Sequence, residues 1–138
     1  MRYFNTYGPG EHSKGAYLNI FHKFINDLRA SKAPVIYGNG NQQRDFVYIE
    51  DNARALVLAM EKGKAGEAYN IGTGISTDFN SIFKILKEEM HSDIEAIYVK
   101  NPFTSYRMLI MANIEKAKKE LQFEPEYDIR AGVKRMFQ

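Results

Sequence analysis

Phe46-Val47-Tyr48-Ile49 is a run of β-favouring residues that passes without a loop into Asn52-Ala53-Arg54-Ala55-Leu56-Val57-Leu58-Ala59-Met60, a helical run. A strand that feeds a helix this directly restricts the chain to folds built from βα units. Asp51 stands between the two and is expected to cap the helix, its carboxylate accepting from free amides of the first turn. Gly63 to Gly66 close that helix. The same order recurs downstream. Ala68-Tyr69-Asn70-Ile71 reads as a strand, Gly72-Thr73-Gly74 as a turn, and Thr77 as the cap of a helix burying Phe79, Ile82, Phe83, Leu86 and Met90. Strands alternating with helices predict an α/β class.

The rest of the chain fits that alternation. Arg2-Tyr3-Phe4-Asn5-Thr6-Tyr7 reads as a strand that opens the chain with nothing before it to pair with, and Gly8-Pro9-Gly10 ends it. From Tyr17 to Leu28, Tyr17, Phe21, Phe24, Ile25 and Leu28 follow helical spacing, with Asn19, His22, Asn26 and Arg29 on the polar side. Val35-Ile36-Tyr37 is a short strand ending in the turn Gly38-Asn39-Gly40. Ile94 to Val99 is rich in β-formers, and Arg107 to Met111 is extended. Asn113 is expected to cap a helix over 114–122 with Ile114, Ala117 and Leu121 inward, and Asp128 a last helix carrying Ile129, Val133 and Met136.

Length and composition narrow the function classes. The 138 residues are expected to form a single domain, 1–138. A net charge of +2 is too small for a nucleic-acid face. No apolar run approaches the ~20 residues of a membrane span. A cytoplasmic location is the expectation. Cysteine is absent, which removes thiolate chemistry. His12, His22 and His91 lack metal-ligand spacing, so no metal site is expected. Asp45 and Glu50 fall on opposite faces of a strand, so no carboxylate pair is implied. Gly72-Thr73-Gly74 resembles half of a phosphate loop, but a tight strand-to-helix turn explains it more simply. Lys116, Lys118 and Lys119 lie largely on a solvated helix face. Arg44 sits where a strand leaves a Gly-rich turn. It is either a ligand-facing charge or a surface arginine paired with Asp45 or Glu50.

Four segments resemble, in order, the motifs of the NAD-dependent sugar epimerase/dehydratase family of extended short-chain dehydrogenases. They are Arg2 to Pro9, Val35 to Asp51, Tyr69 to Gly74, and Asn113 to Ala117 followed by Leu121 and Pro125. Glu11, Lys14-Gly15 and Phe21-His22 resemble heptose 6-epimerases. Asn101-Pro102 and Tyr106 before Asn113 resemble archaeal-type nucleotide-sugar 4-epimerases of the UDP-glucose type, the reading preferred here. The family's Gly-x-x-Gly-x-x-Gly cofactor loop is missing from the ten glycines, and none of the nine tyrosines has lysine four residues on. The chain is therefore similar to the C-terminal, substrate-binding portion of an extended Rossmann-type fold, without the NAD-binding half and without catalytic residues of its own. It would be a gene fragment, part of a split enzyme or an excised piece.

The resemblance implies roles by position. Tyr3 and Phe4 would line the nicotinamide, and Asn5 would touch the bound sugar nucleotide. Asn19 would reach the diphosphate region, and Val35 and Tyr37 would flank the nucleobase. Arg44 would clamp the diphosphate, with Arg107 replacing the family's second arginine, whose motif is absent here. NAD belongs to the intact enzyme and is not expected to bind this chain tightly. The expected partners are a nucleotide sugar and either the missing half or a second copy of the chain. A nucleotide-sugar-binding module without catalysis, and a segment of a heptose 6-epimerase or sugar dehydratase, are the rival readings.

Overall fold

The computed structural model describes residues 1–11 and 18–138. His12, Lys14, Gly15 and Tyr17, named above, lie outside the described residues. The opening stretch forms two strands rather than one, β1 (Arg2–Tyr3) and β2 (Asn5–Tyr7). β1 pairs in parallel with β6 (Asn70–Ile71), and β2 pairs in parallel with β5 (Phe46–Tyr48). The partner changes at Phe4, whose N–H donates to Ile71 O, while Asn5 N–H donates to Asp45 O. A strand expected to open unpaired is thus paired with segments that follow it by forty residues and more.

The main core forms where helices cover the β2–β5 pair. In α1 (Ile20–Arg29), Phe21, Phe24, Ile25 and Leu28 are buried, as their spacing predicts. They meet Tyr7, Phe46 and the inner face of α3 (Phe79–Glu89), made by Phe79, Ile82, Phe83 and Leu86. Rings dominate the contact: Tyr7 stacks on Phe21 at 4.3 Å, and Phe21 meets Phe46 edge-on at 5.0 Å. α5 (Ile129–Met136) closes this core with Val133, and Asp128 caps it by accepting from Ala131 N–H at 2.7 Å. Gly132 lets α5 approach, because a Cβ there would lie 2.0 Å from the Tyr7 hydroxyl. A smaller core joins Ala55 of α2 (Ile49–Lys62) to Tyr69, Ile71 and Phe123, and to Ala117 and Leu121 of α4 (Glu115–Leu121).

Two smaller sheets frame the cleft described below. β3 (Val35–Tyr37) pairs in parallel with β8 (Ile97–Val99). β4 (Gln43–Arg44) lies between β7 (Thr77–Asp78), antiparallel to it, and β9 (Leu109–Ile110), parallel to it.

Three capping expectations are corrected. β5 runs straight into α2, which starts at Ile49 with Tyr48 as its boundary residue and no side-chain cap. Asp51 therefore sits inside the first turn, fully buried. It accepts instead from Glu126 N–H at 2.9 Å and Tyr127 N–H at 3.2 Å, and pairs with Arg54 at 2.7 Å. Thr77 belongs to β7, and Asp78 caps α3 by accepting from Ser81 N–H at 2.9 Å. The boundary residue of α4 is Ile114; Asn113 stands one residue earlier and accepts from Glu115 N–H at 3.1 Å.

Candidate functional site

A cavity of about 580 Å³ opens between α1, β3 and the loop after β8. Val35 and Tyr37 line it, together with Ile20, Phe79, Phe103 and Tyr106. Strand alternation explains the first two. Ile36 points into the core at 0% exposure, so Val35 and Tyr37 point the other way and are each 44% exposed. Tyr37 meets Phe103 edge-on at 6.3 Å, and Phe103 lies nearly parallel to Tyr106 at 6.2 Å. Gln42, buried at the turn, donates to Tyr37 O at 2.9 Å and fixes the strand end. The result is a slot with aromatic faces, suited to a flat ring system, whose lining also includes the polar Lys23, Asn26 and Asp27.

Arg44 lies behind this wall. Its Cζ is 4.9 Å from the Tyr106 ring centre and 5.9 Å from that of Phe79, both residues of the cleft. It is 8% exposed, and Nη1 donates to Gln43 O at 2.7 Å. It enters no ion pair among the described residues. The two carboxylates that might have neutralised it are engaged elsewhere. Glu50 accepts from the Tyr127 hydroxyl at 2.6 Å, and Asp45 points into a separate network. A guanidinium held by ring faces and one carbonyl keeps donors and an unbalanced positive charge for an anion.

The other expected site residues are more scattered. Tyr3 is exposed on β1, Phe4 is half-buried between β1 and β2, and Asn5 Nδ2 donates to Asp45 O at 3.1 Å. Asn19 sits between two cleft residues, Leu18 and Ile20, but its amide is engaged within the chain. Oδ1 accepts from His22 N–H at 3.2 Å and so caps α1, while Nδ2 donates to Thr6 O at 2.7 Å. Arg107 is exposed, one residue beyond Tyr106, and does not line the cavity. Among the described residues, no group of three or more His, Cys, Asp or Glu side chains could hold a metal ion.

Comparison with known proteins gives this arrangement a family. The profile of the NAD dependent epimerase/dehydratase family matches residues 1–72, more than half of the 138. The chain belongs to that family. It is 39% identical to a putative UDP-glucose 4-epimerase of Methanocaldococcus jannaschii over 136 residues, which are 99% of this chain and 43% of that protein. It is 31% identical to an ADP-L-glycero-D-manno-heptose-6-epimerase of Alkalilimnicola ehrlichii, over 97% of this chain and 44% of that one. A crystal structure of UDP-glucose 4-epimerase from Thermotoga maritima with UDP-glucose superposes at a TM-score of 0.89 and 36% identity, over 98% of this chain and 43% of that chain. The fold is therefore α/β and corresponds to part of a sugar-epimerase fold. The chain spans less than half the length of the relatives it matches.

One residue of this epimerase-family chain escaped the reading of the sequence. Asp45 is fully buried, and its carboxylate fills the Gly72-Thr73-Gly74 turn. Oδ1 accepts from Thr73 N–H at 2.8 Å and Thr73 Oγ1 at 2.7 Å; Oδ2 accepts from Gly74 N–H at 2.9 Å and Ala112 N–H at 3.1 Å. Gly72 has to be glycine, since a Cβ would come within 2.8 Å of Asp45 Oδ2. The turn that looked like half of a phosphate loop is an amide nest filled by the chain's own anion. The signal was present as a Gly-x-Gly nest and a lone aspartate, but nothing in their spacing linked them.

Proposed function

We propose that the chain is the substrate-binding segment of a nucleotide-sugar epimerase of the UDP-glucose 4-epimerase type, working with NAD held by the rest of the protein. The cleft carries this reading: an aromatic slot with exposed Val35 and Tyr37, backed by an arginine that has no carboxylate partner among the described residues. The nucleobase would lie against Val35, Tyr37 and the Phe103–Tyr106 wall. The diphosphate would draw the guanidinium of Arg44, with Arg107 as a second cation and Asn19 near the same region. Tyr3 and Phe4 would form a side wall of the nicotinamide site, and Asn5 would face the sugar.

Among the described residues, the Gly72-Thr73-Gly74 turn does not fit the pyrophosphate of NAD. A dinucleotide pyrophosphate needs free backbone amides, and those of Thr73 and Gly74 are taken by Asp45. The chain alone is therefore expected to bind NAD weakly and to turn over no nucleotide sugar. Among the described residues no helix is long and apolar enough to cross a membrane. Exposed Ile49, Leu56, Val57 and Met60 form one apolar face of α2. The rest of the protein, or failing that a second copy of the chain, would cover it, so sedimentation of the chain alone should depend on concentration.

A titration of the purified chain with UDP, ADP and NAD, followed by amide NMR shifts, tests the reading. UDP should bind saturably and move Val35, Tyr37 and Tyr106, with NAD far weaker. No saturable shift with UDP would overturn it. A second reading, a heptose 6-epimerase segment, rests on the 31% identity to the ADP-heptose enzyme, and ADP binding tighter than UDP would favour it.

A further inference from the structure

We infer that Asp45 is the positioning residue that fixes Arg44 relative to Asn5, so that the anion-gripping and sugar-facing parts of the site move as one body. The inference rests on the roles proposed above for those two residues. Asp45 is the single residue between β4 and β5, and so the direct covalent link between the sheet that carries Arg44 and the pair that carries Asn5. A twist at this residue would change the distance between them.

Every polar atom of Asp45 opposes such a twist. Its N–H donates to Ile110 O at 2.9 Å. Its carbonyl accepts from both Asn5 N–H and Asn5 Nδ2 at 3.1 Å. Its two carboxylate oxygens take donors from Thr73, Gly74 and Ala112. Three separate segments, after β6, at β9 and at β2, thus converge on one link. The carboxylate faces away from Arg44, as neighbouring strand residues must. It holds the backbone under the guanidinium without neutralising it.

The requirement for a carboxylate is specific. Each oxygen receives two donors, and three of the four donors are backbone N–H groups that cannot turn round. Asparagine has one acceptor oxygen. Either orientation of its amide sets an NH₂ against at least one of those N–H groups, and buried donors left facing donors force the segments apart.

The test uses Asp45→Asn, Thr73→Val and Thr73→Ser. Thr73→Val removes one donor to Oδ1, and Thr73→Ser keeps it. Three quantities are read: the Arg44 Nε–Hε resonance, which the ring current of Tyr106, its centre 4.9 Å from Arg44 Cζ, should displace, UDP affinity by NMR titration, and the melting temperature. Asp45→Asn and Thr73→Val should move the Arg44 resonance toward its free-chain position. They should also weaken UDP binding by about tenfold, the scale on which residues that orient a ligand-binding group act. Thr73→Ser should restore both. An Arg44 resonance that stays in place while the melting temperature falls would overturn the inference and leave Asp45 a stabilising staple alone. If Asp45→Asn does not fold, the Thr73 pair decides. If the parent chain does not bind UDP, the reading of the cleft fails, yet the Arg44 resonance still decides the role of Asp45.

Discussion

The joint around Asp45 and the cleft around Tyr37 are built in opposite ways. The joint is closed. Asp45 is at 0% exposure with both carboxylate oxygens saturated by donors. The cleft is open. Val35, Tyr37 and Phe103 expose 44%, 44% and 59% of their surface, and Arg44 beneath them keeps an unpaired charge among the described residues. A buried polar group is tolerated when fully hydrogen-bonded, whereas exposed aromatics next to an unsatisfied cation are costly until something fills them. The contrast separates frame from site: substitutions in the buried core should act on folding, substitutions in the cleft on binding, and substitutions at the Asp45 joint, which ties the two together, on both.

The largest effect should come from the frame. Phe21 is fully buried between Tyr7 and Phe46, so Phe21→Ala should remove about 3–5 kcal/mol of stability in denaturant melts. UDP binding by the fraction that remains folded should be little changed. Alkaline pH probes the same region. Burial, then the nearby Asp128, pushes the Tyr7 phenol well above its ordinary value of 10.0. The neutral ring is favoured in the fold, so its contribution is complete below pH 10.0 and is lost as pH rises beyond that. Melts from pH 8 upward should show falling stability above about pH 10, and Tyr7→Phe should flatten that fall.

In the cleft the sign of the comparison reverses. Tyr106→Ala takes away a ring over Arg44 and a wall of the slot. It should weaken UDP binding by about tenfold, with a melting temperature near that of the parent. Arg107→Ala should do least. An exposed cation contributes about 0–1 kcal/mol, so UDP affinity in a calorimetric titration should drop by no more than about fivefold.

How much of this was legible follows from the range of the interactions. Phe21, Phe24, Ile25 and Leu28 are within one helix, and their spacing alone identified the buried face. Val35 and Tyr37 were singled out by family resemblance alone; strand alternation around the buried Ile36 is the local reason that both are exposed. Asp51 was misjudged because a carboxylate next to a helix start satisfies the local rule. Its actual donors, Glu126 and Tyr127, lie 75 and 76 residues away. Asp45 was missed for the same reason, with donors 28 to 67 residues distant. β4, β7 and β9 are two-residue strands that exist only through one another, so no local pattern announces them. Arg44 was legible as a residue at the end of a strand, but its partners, Tyr106 and Phe79, were not.

If Arg44 is the anion-gripping charge proposed for the cleft, its loss should be felt in binding and not in folding. Arg44→Met keeps an unbranched stem against Tyr106 and Phe79 while removing the charge and its donors. UDP affinity measured by calorimetry, alongside a thermal melt, should fall by about thirtyfold or more, the cost of losing a buried charge-assisted clamp. The melting temperature should stay within a few degrees of the parent's. Unchanged affinity, or affinity lost together with a collapsed melting temperature, would contradict the proposed role and make Arg44 part of the frame.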